Sequence, residues 1–129
     1  MTMLQVILNY DIEKEVIAFD ETLNGTGYIL VDDGGLKNYF VKLQDYKAEL
    51  IKQYFINPPQ AENLYINPNF VMAVGEELVE GYPCLTYGNP YGNLYGNHED
   101  IQIQPVDGMT VKELLELVEQ KKEDMLLAE

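Results

Sequence analysis

Cys84 and His98 are the single thiol and the single imidazole of the chain, so nucleophilic hydrolysis through cysteine would have to pair them. Such a pair works when the imidazole is held within hydrogen-bond reach of the sulfur and a third group orients it. His98 stands near the end of TYGNPYGNLYGNHED, residues 86–100, a stretch dense in glycine and asparagine. A backbone of that kind is a poor support for a positioned base. A buried, inert cysteine and a surface histidine account for the same residues. No catalytic residue is expected. A small hydrolase built on Cys84, His98, Glu99 and Asp100 is the competing class, and Cys84→Ser separates the two.

Metal and phosphate chemistry fare no better. Asp20, Thr22, Asn24 and Gly25 match the opening of a calcium loop, but its twelfth position, where a bidentate glutamate belongs, is Val31. His98-Glu99-Asp100 places three ligand types side by side, yet neighbours on an extended chain point apart, and a lone histidine makes a poor transition-metal site. Neither Asp32-Asp33-Gly34-Gly35 nor the Tyr-Gly-Asn segment supplies glycines at the spacing of a nucleotide loop between a strand and a helix, and the two aspartates would repel a phosphate. No metal and no cofactor are expected.

Tyr-Gly-Asn remains, repeated from Tyr87, Tyr91 and Tyr95 at a spacing of four. On a helix those rings would align, but the intervening glycines and asparagines together with Pro90 predict successive turns instead. Tyrosine offers rigid amphipathic area, while glycine and asparagine let the backbone adapt, the combination that antigen-binding loops favour. Tyr87, Tyr91, Asn93, Tyr95 and His98 are therefore read as partner-binding residues. The alternative is a packed lid, with the rings folded back over the sheet. A second contact candidate is Met125-Leu126-Leu127 near the chain end. Met125 and Leu126 either dock into the core or form an apolar patch for a partner or for self-association through the C-terminal helix.

Charge narrows the partner. The chain carries 22 acidic against 8 basic residues, a formal charge of −14, and every base is lysine. Without arginine there is no planar fork to grip phosphates, and the overall field repels a nucleic-acid backbone. Direct binding of nucleic acid is disfavoured, so the expected partner is another protein. The same charge admits an acidic occupant of a basic protein's nucleic-acid groove, a DNA mimic. Apolar runs are short and the N-terminus lacks a basic region, so neither a membrane span nor a signal peptide is expected, which suits a cytoplasmic or virion-associated protein. One cysteine excludes an internal disulfide.

These residues are positioned by an expected α+β domain spanning 1–129. At 129 residues with 47% hydrophobic content, the chain can bury roughly two-thirds of its unfolded surface. Leu4 to Tyr10 reads as a strand. Val16 to Glu21 and Thr26 to Val31 flank Asn24-Gly25, the signature of a two-residue hairpin turn. Leu36 to Leu43 extends the meander. From Gln44 the period becomes helical, with Tyr46, Leu50, Ile51, Tyr54 and Phe55 on one face, until Asn57-Pro58-Pro59 ends it. A polar stretch leads to Leu64-Tyr65-Ile66 and a turn at Asn67-Pro68-Asn69; Phe70 to Val74 and Ile101 to Gln104 read as further strands, and Gly75 to Leu85 fits either a helical turn or a strand. Ile-Asn-Pro occurs at 56–58 and 66–68, but the flanks differ and no structural repeat is inferred. A loop is expected over 86–98. The last helix, 110–127, opens with Thr110 and Glu113 as a capping box, Met109 stapling onto Leu114, and a stripe of Val111, Leu114, Leu115 and Val118. One antiparallel sheet with both helices on one face is the architecture these signals suggest. A small acidic binding protein of this kind fits an accessory or inhibitory role, as in a virus or mobile element: a virion subunit, or an inhibitor of a host nucleic-acid enzyme.

Overall fold

A computed structural model of the chain describes residues 5–8, 12–79, 81–88 and 101–128. The class is α+β, as the sequence indicates, but the strands divide among separate antiparallel sheets. Strands β1 (Gln5–Leu8) and β2 (Ile12–Glu15) pair with each other. Strands β3 (Ala18–Leu23), β4 (Thr26–Asp32) and β5 (Leu36–Lys42) form the meander, and β6 (Leu64–Ile66) joins it beside β3, giving the order β5-β4-β3-β6. The expected strands near 70 and 101 do not join that sheet. They are β7 (Val71–Val79) and β9 (Ile101–Pro105), and both pair with β8 (Tyr82–Gly88) in a sheet of their own. The ambiguous segment 75–85 is thus largely strand. Pro105 closes β9, an edge strand, where its missing amide costs no ladder bond.

The β3–β4 hairpin turns at Asn24 and Gly25, with φ of 39° and 81°, the pair of positive angles that a type I′ turn requires. Glu21 locks the turn: one carboxylate oxygen accepts the Gly25 amide at 2.8 Å, and the other lies 3.0 Å from the Lys52 ammonium on helix α1 (Asp45–Tyr54). Thr22 sits where the β3 register shifts by one residue, and its hydroxyl donates to the Thr26 carbonyl at 2.9 Å.

Alternation along the meander buries both faces of the four-stranded sheet, each in its own core. Phe19, Ile29 and Val31 face Ala48, Ile51 and Phe55 of α1 and its exit. Ala18, Leu30 and Ile66 face the other way, toward Leu85, Tyr87, Val106, and Leu114 and Val118 of helix α2 (Val111–Ala128). Because apolar residues lie on both sides, the helices do not share one face of one sheet. Helix α2 serves both cores, with Leu114 and Val118 in the second and Met125 in the first. Between them, half-buried Lys121 donates its ammonium to the Gln53 carbonyl at 2.9 Å, which satisfies a carbonyl in the last turn of α1. The α2 start is the expected capping box. Thr110 Oγ1 accepts the Glu113 amide at 3.1 Å, and Glu113 accepts the Thr110 amide at 3.0 Å.

The two Ile-Asn-Pro triplets meet in space. Ile56 and Ile66 exchange both backbone hydrogen bonds at 2.8 Å as an isolated bridge. Asn57 Nδ2 then gathers the carbonyls of Glu62 and Leu64, at 2.9 and 2.7 Å, and closes the loop between the triplets. Asn67 is fully buried and donates Nδ2 to the Val16 carbonyl at 2.8 Å, while its Oδ1 accepts the Asn69 amide at 3.0 Å to cap the 3₁₀ turn Pro68–Phe70.

Candidate binding face

The hairpin registers place one row of side chains across the side of the four-stranded sheet opposite α1. Asp20 stands opposite Tyr28, and Tyr28 opposite Phe40; one step along, Ala18 stands opposite Leu30, and Leu30 opposite Asn38. At the β6 end this face is covered by the second core. Toward β5 it opens to solvent, and there Tyr28 and Phe40 remain 47% and 59% exposed. Their rings pack edge to face, centroids 5.0 Å apart at 62°, a favoured geometry for an aromatic pair. A cross-strand aromatic pair of this kind also steadies the sheet by some tenths of a kcal/mol to about 1 kcal/mol.

Where the face passes under the other sheet, a cleft of about 220 Å³ opens. Its described walls are Ala18, Asp20, Tyr28, Leu30, Asn38 and Leu64 from the meander and β6, with Tyr87 and Gln102 from β8 and β9. Tyr87 and Gln102 are register partners, so both project from one face of the smaller sheet. Burial pushes the Tyr87 hydroxyl above its ordinary range, and the Asp20 carboxylate adds to the effect. The phenol therefore stays neutral and keeps its proton to donate.

The residues singled out in the sequence fall in several places. Thr86, Tyr87 and Gly88 belong to β8 and are strand where a loop is expected; the rest of the expected loop lies outside the described residues. Tyr87 is only 6% exposed, and its ring is a wall of the second core and of the cleft. Tyr91, Asn93, Tyr95 and His98 lie outside the described residues, as do Glu99 and Asp100. Cys84 is buried, its Sγ 3.4 Å from the Tyr82 carbonyl. The C-terminal trio separates: Met125 is 3% exposed in the first core, whereas Leu126 and Leu127 are 73% and 78% exposed. Leu126 lines a groove with Asn69, Glu119 and Lys122, and Leu127 lies with Gln53 and Tyr54. Among the described residues, no three His, Cys, Asp or Glu side chains gather closely enough to hold a metal, and no helix is long and apolar enough to cross a membrane.

Tyr28, Phe40, Asn38 and Gln102 are not among the residues that the sequence marks as candidates, and Asp20 is marked only as a calcium-loop position. One signal did point to Tyr28. Strand β4 reads Tyr28-Ile29-Leu30-Val31, apolar on both faces, and such a strand needs something against each side. No protein-family model matches the chain, and neither a curated protein nor a solved structure matches it.

Proposed function

We propose that this is a non-enzymatic binding protein that docks on a basic surface of another protein through the open face around Tyr28 and Phe40. The observation that supports this most directly is that Tyr28, at the wall of the cleft, pairs with Phe40 on a part of the sheet face where both rings stay about half exposed. Aromatic rings dominate the few residues that carry binding energy at interfaces. Tyr87, the first of the repeated Tyr-Gly-Asn tyrosines, lines the same cleft, so the segment read as a contact surface starts from its wall. With a formal charge of −14, a basic partner is steered in and an acidic one repelled. An accessory or inhibitory role, including occupation of a basic nucleic-acid groove, follows from that charge.

The test compares immobilised wild-type chain with Phe40→Ser by quantitative mass spectrometry of retained host proteins. A partner bound through this face is retained by the wild type and lost by the variant, because an interface aromatic of this kind contributes about 2 kcal/mol or more. Retention should also fall as salt rises. Phe40 is exposed and loses only its pairing with Tyr28, so melting should fall by no more than a few degrees. An identical retained set on the two chains would overturn the proposal.

A further inference from the structure

We infer that the cleft beside Tyr28 is a socket for one cationic side chain, an arginine or lysine presented by the docked protein. This deepens the docking role proposed above by naming what the partner inserts. Size sets the first limit. At about 220 Å³ the cleft is smaller than the ~300–1,000 Å³ of pockets that enclose a drug-sized ligand, so it suits a side chain rather than a cofactor.

The lining sets the chemistry. Ala18, Leu30 and Leu64 offer an aliphatic surface on which the methylene stem of a long basic side chain can pack. Tyr28 and Tyr87 bring aromatic rings, which attract a cation through their electron-rich faces. Asn38 and Gln102 add amide carbonyls as acceptors, and Asp20 adds a carboxylate. No lysine lines the cleft, and the ion pairs among the described residues engage other acids: Asp33 with Lys14, Glu21 with Lys52 and Glu119 with Lys122.

Competing guests fit less well. An anion meets Asp20 and the overall negative charge. A neutral apolar side chain would fill the aliphatic part but desolvate Asp20, Asn38 and Gln102 without giving them a donor. Arginine suits the site better than lysine, because its guanidinium plane can stack on a tyrosine while its fork donates to the carboxylate.

The test titrates the full ¹⁵N-labelled chain with N-acetyl-arginine amide and with its citrulline counterpart, which keeps the shape and loses the charge. Arginine should give saturable shifts clustered at Ala18, Asp20, Tyr28, Leu30, Asn38, Tyr87 and Gln102. Citrulline should bind at least about fivefold more weakly, the factor set by an ion pair near 1 kcal/mol. Asp20→Asn should weaken arginine by a similar factor. Tyr28→Leu, as a second variant, should weaken it while the amide spectrum of the rest of the chain persists. Equal binding of citrulline, undiminished arginine binding by Asp20→Asn, or shifts scattered over the acidic surface would each overturn the socket. The two readings fail separately. Unchanged partner retention by Phe40→Ser removes the docking face even if the probe enters the cleft, whereas lost retention with a probe that misses the cleft removes only the socket.

Discussion

Asn67→Ala should be among the most damaging single polar-to-alanine changes in this chain, although the side chain is small. The Val16 carbonyl is buried and accepts Asn67 Nδ2 at 2.8 Å. Truncation leaves that oxygen without its donor, a loss of about 1–3 kcal/mol. The Asn69 amide loses its side-chain cap, worth about 1 kcal/mol. Together these give roughly 2–4 kcal/mol, or a fall in melting temperature of about 6–20 °C at an intermediate sensitivity for a chain of this size. Urea unfolding followed by far-ultraviolet circular dichroism should show a lower midpoint at an unchanged slope. Asn57→Ala is the internal control. Asn57 is exposed and the carbonyls it gathers can turn to water, so its loss should cost about 1 kcal/mol or less. Asn67→Asp should be worse than alanine, because a carboxylate cannot donate to Val16 and its charge would be buried. If Asn67→Ala costs no more than Asn57→Ala, or if Asn67→Asp is tolerated, buried satisfaction of the Val16 carbonyl is not what Asn67 does.

Two further outcomes can be checked with the same assay. Gly27→Ala should destabilise by roughly 2–4 kcal/mol or prevent folding, because an added Cβ would lie 2.1 Å from the Asp20 carbonyl oxygen and 2.8 Å from Glu21 Cα, backbone atoms of the paired strand that cannot move aside. A melting point within a few degrees of wild type would mean that the β3–β4 register is wrong. Burial pushes Glu21 upward, but the Gly25 amide and the Lys52 ammonium outweigh it and hold its carboxyl below its ordinary value of 4.5, while Lys52 is raised in turn by Glu21. A depressed acid contributes stability that is present above its unfolded pKa and lost as the pH falls through the folded one. Glu21→Gln should therefore flatten stability against pH below 4.5; an acid limb parallel to that of wild type would remove Glu21 from the linkage.

Local chemistry made some of this structure legible in the residues alone. Asn24-Gly25 specifies its turn because few residues adopt two successive positive φ angles, and Thr110 with Glu113 specifies a helix start because the two groups satisfy each other within one turn. Inside a helix proline removes a backbone donor and clashes with the preceding turn, so α1 ends before Pro58 and Pro59. Each of these rests on atoms a few residues apart.

What depended on distant atoms was decided by the tertiary structure. Strand β3 takes β6 as its second neighbour, 44 or more residues later in the chain, and β7 and β9 flank β8 instead of extending the meander, so an expected single sheet became separate ones. Helical periodicity names an apolar stripe but not its phase. Docking of α1 buried Ala48 and left Tyr46 exposed, and docking of α2 left Leu115 outside while half-burying Leu117. Met125, Leu126 and Leu127 are equally apolar in sequence, yet adjacent positions on a helix point about 100° apart, so only Met125 could enter the core. The candidate site has the same origin. Asp20, Tyr28, Asn38, Tyr87 and Gln102 come from five strands in two sheets, and no local pattern brings them together; the packing of one sheet against the other does.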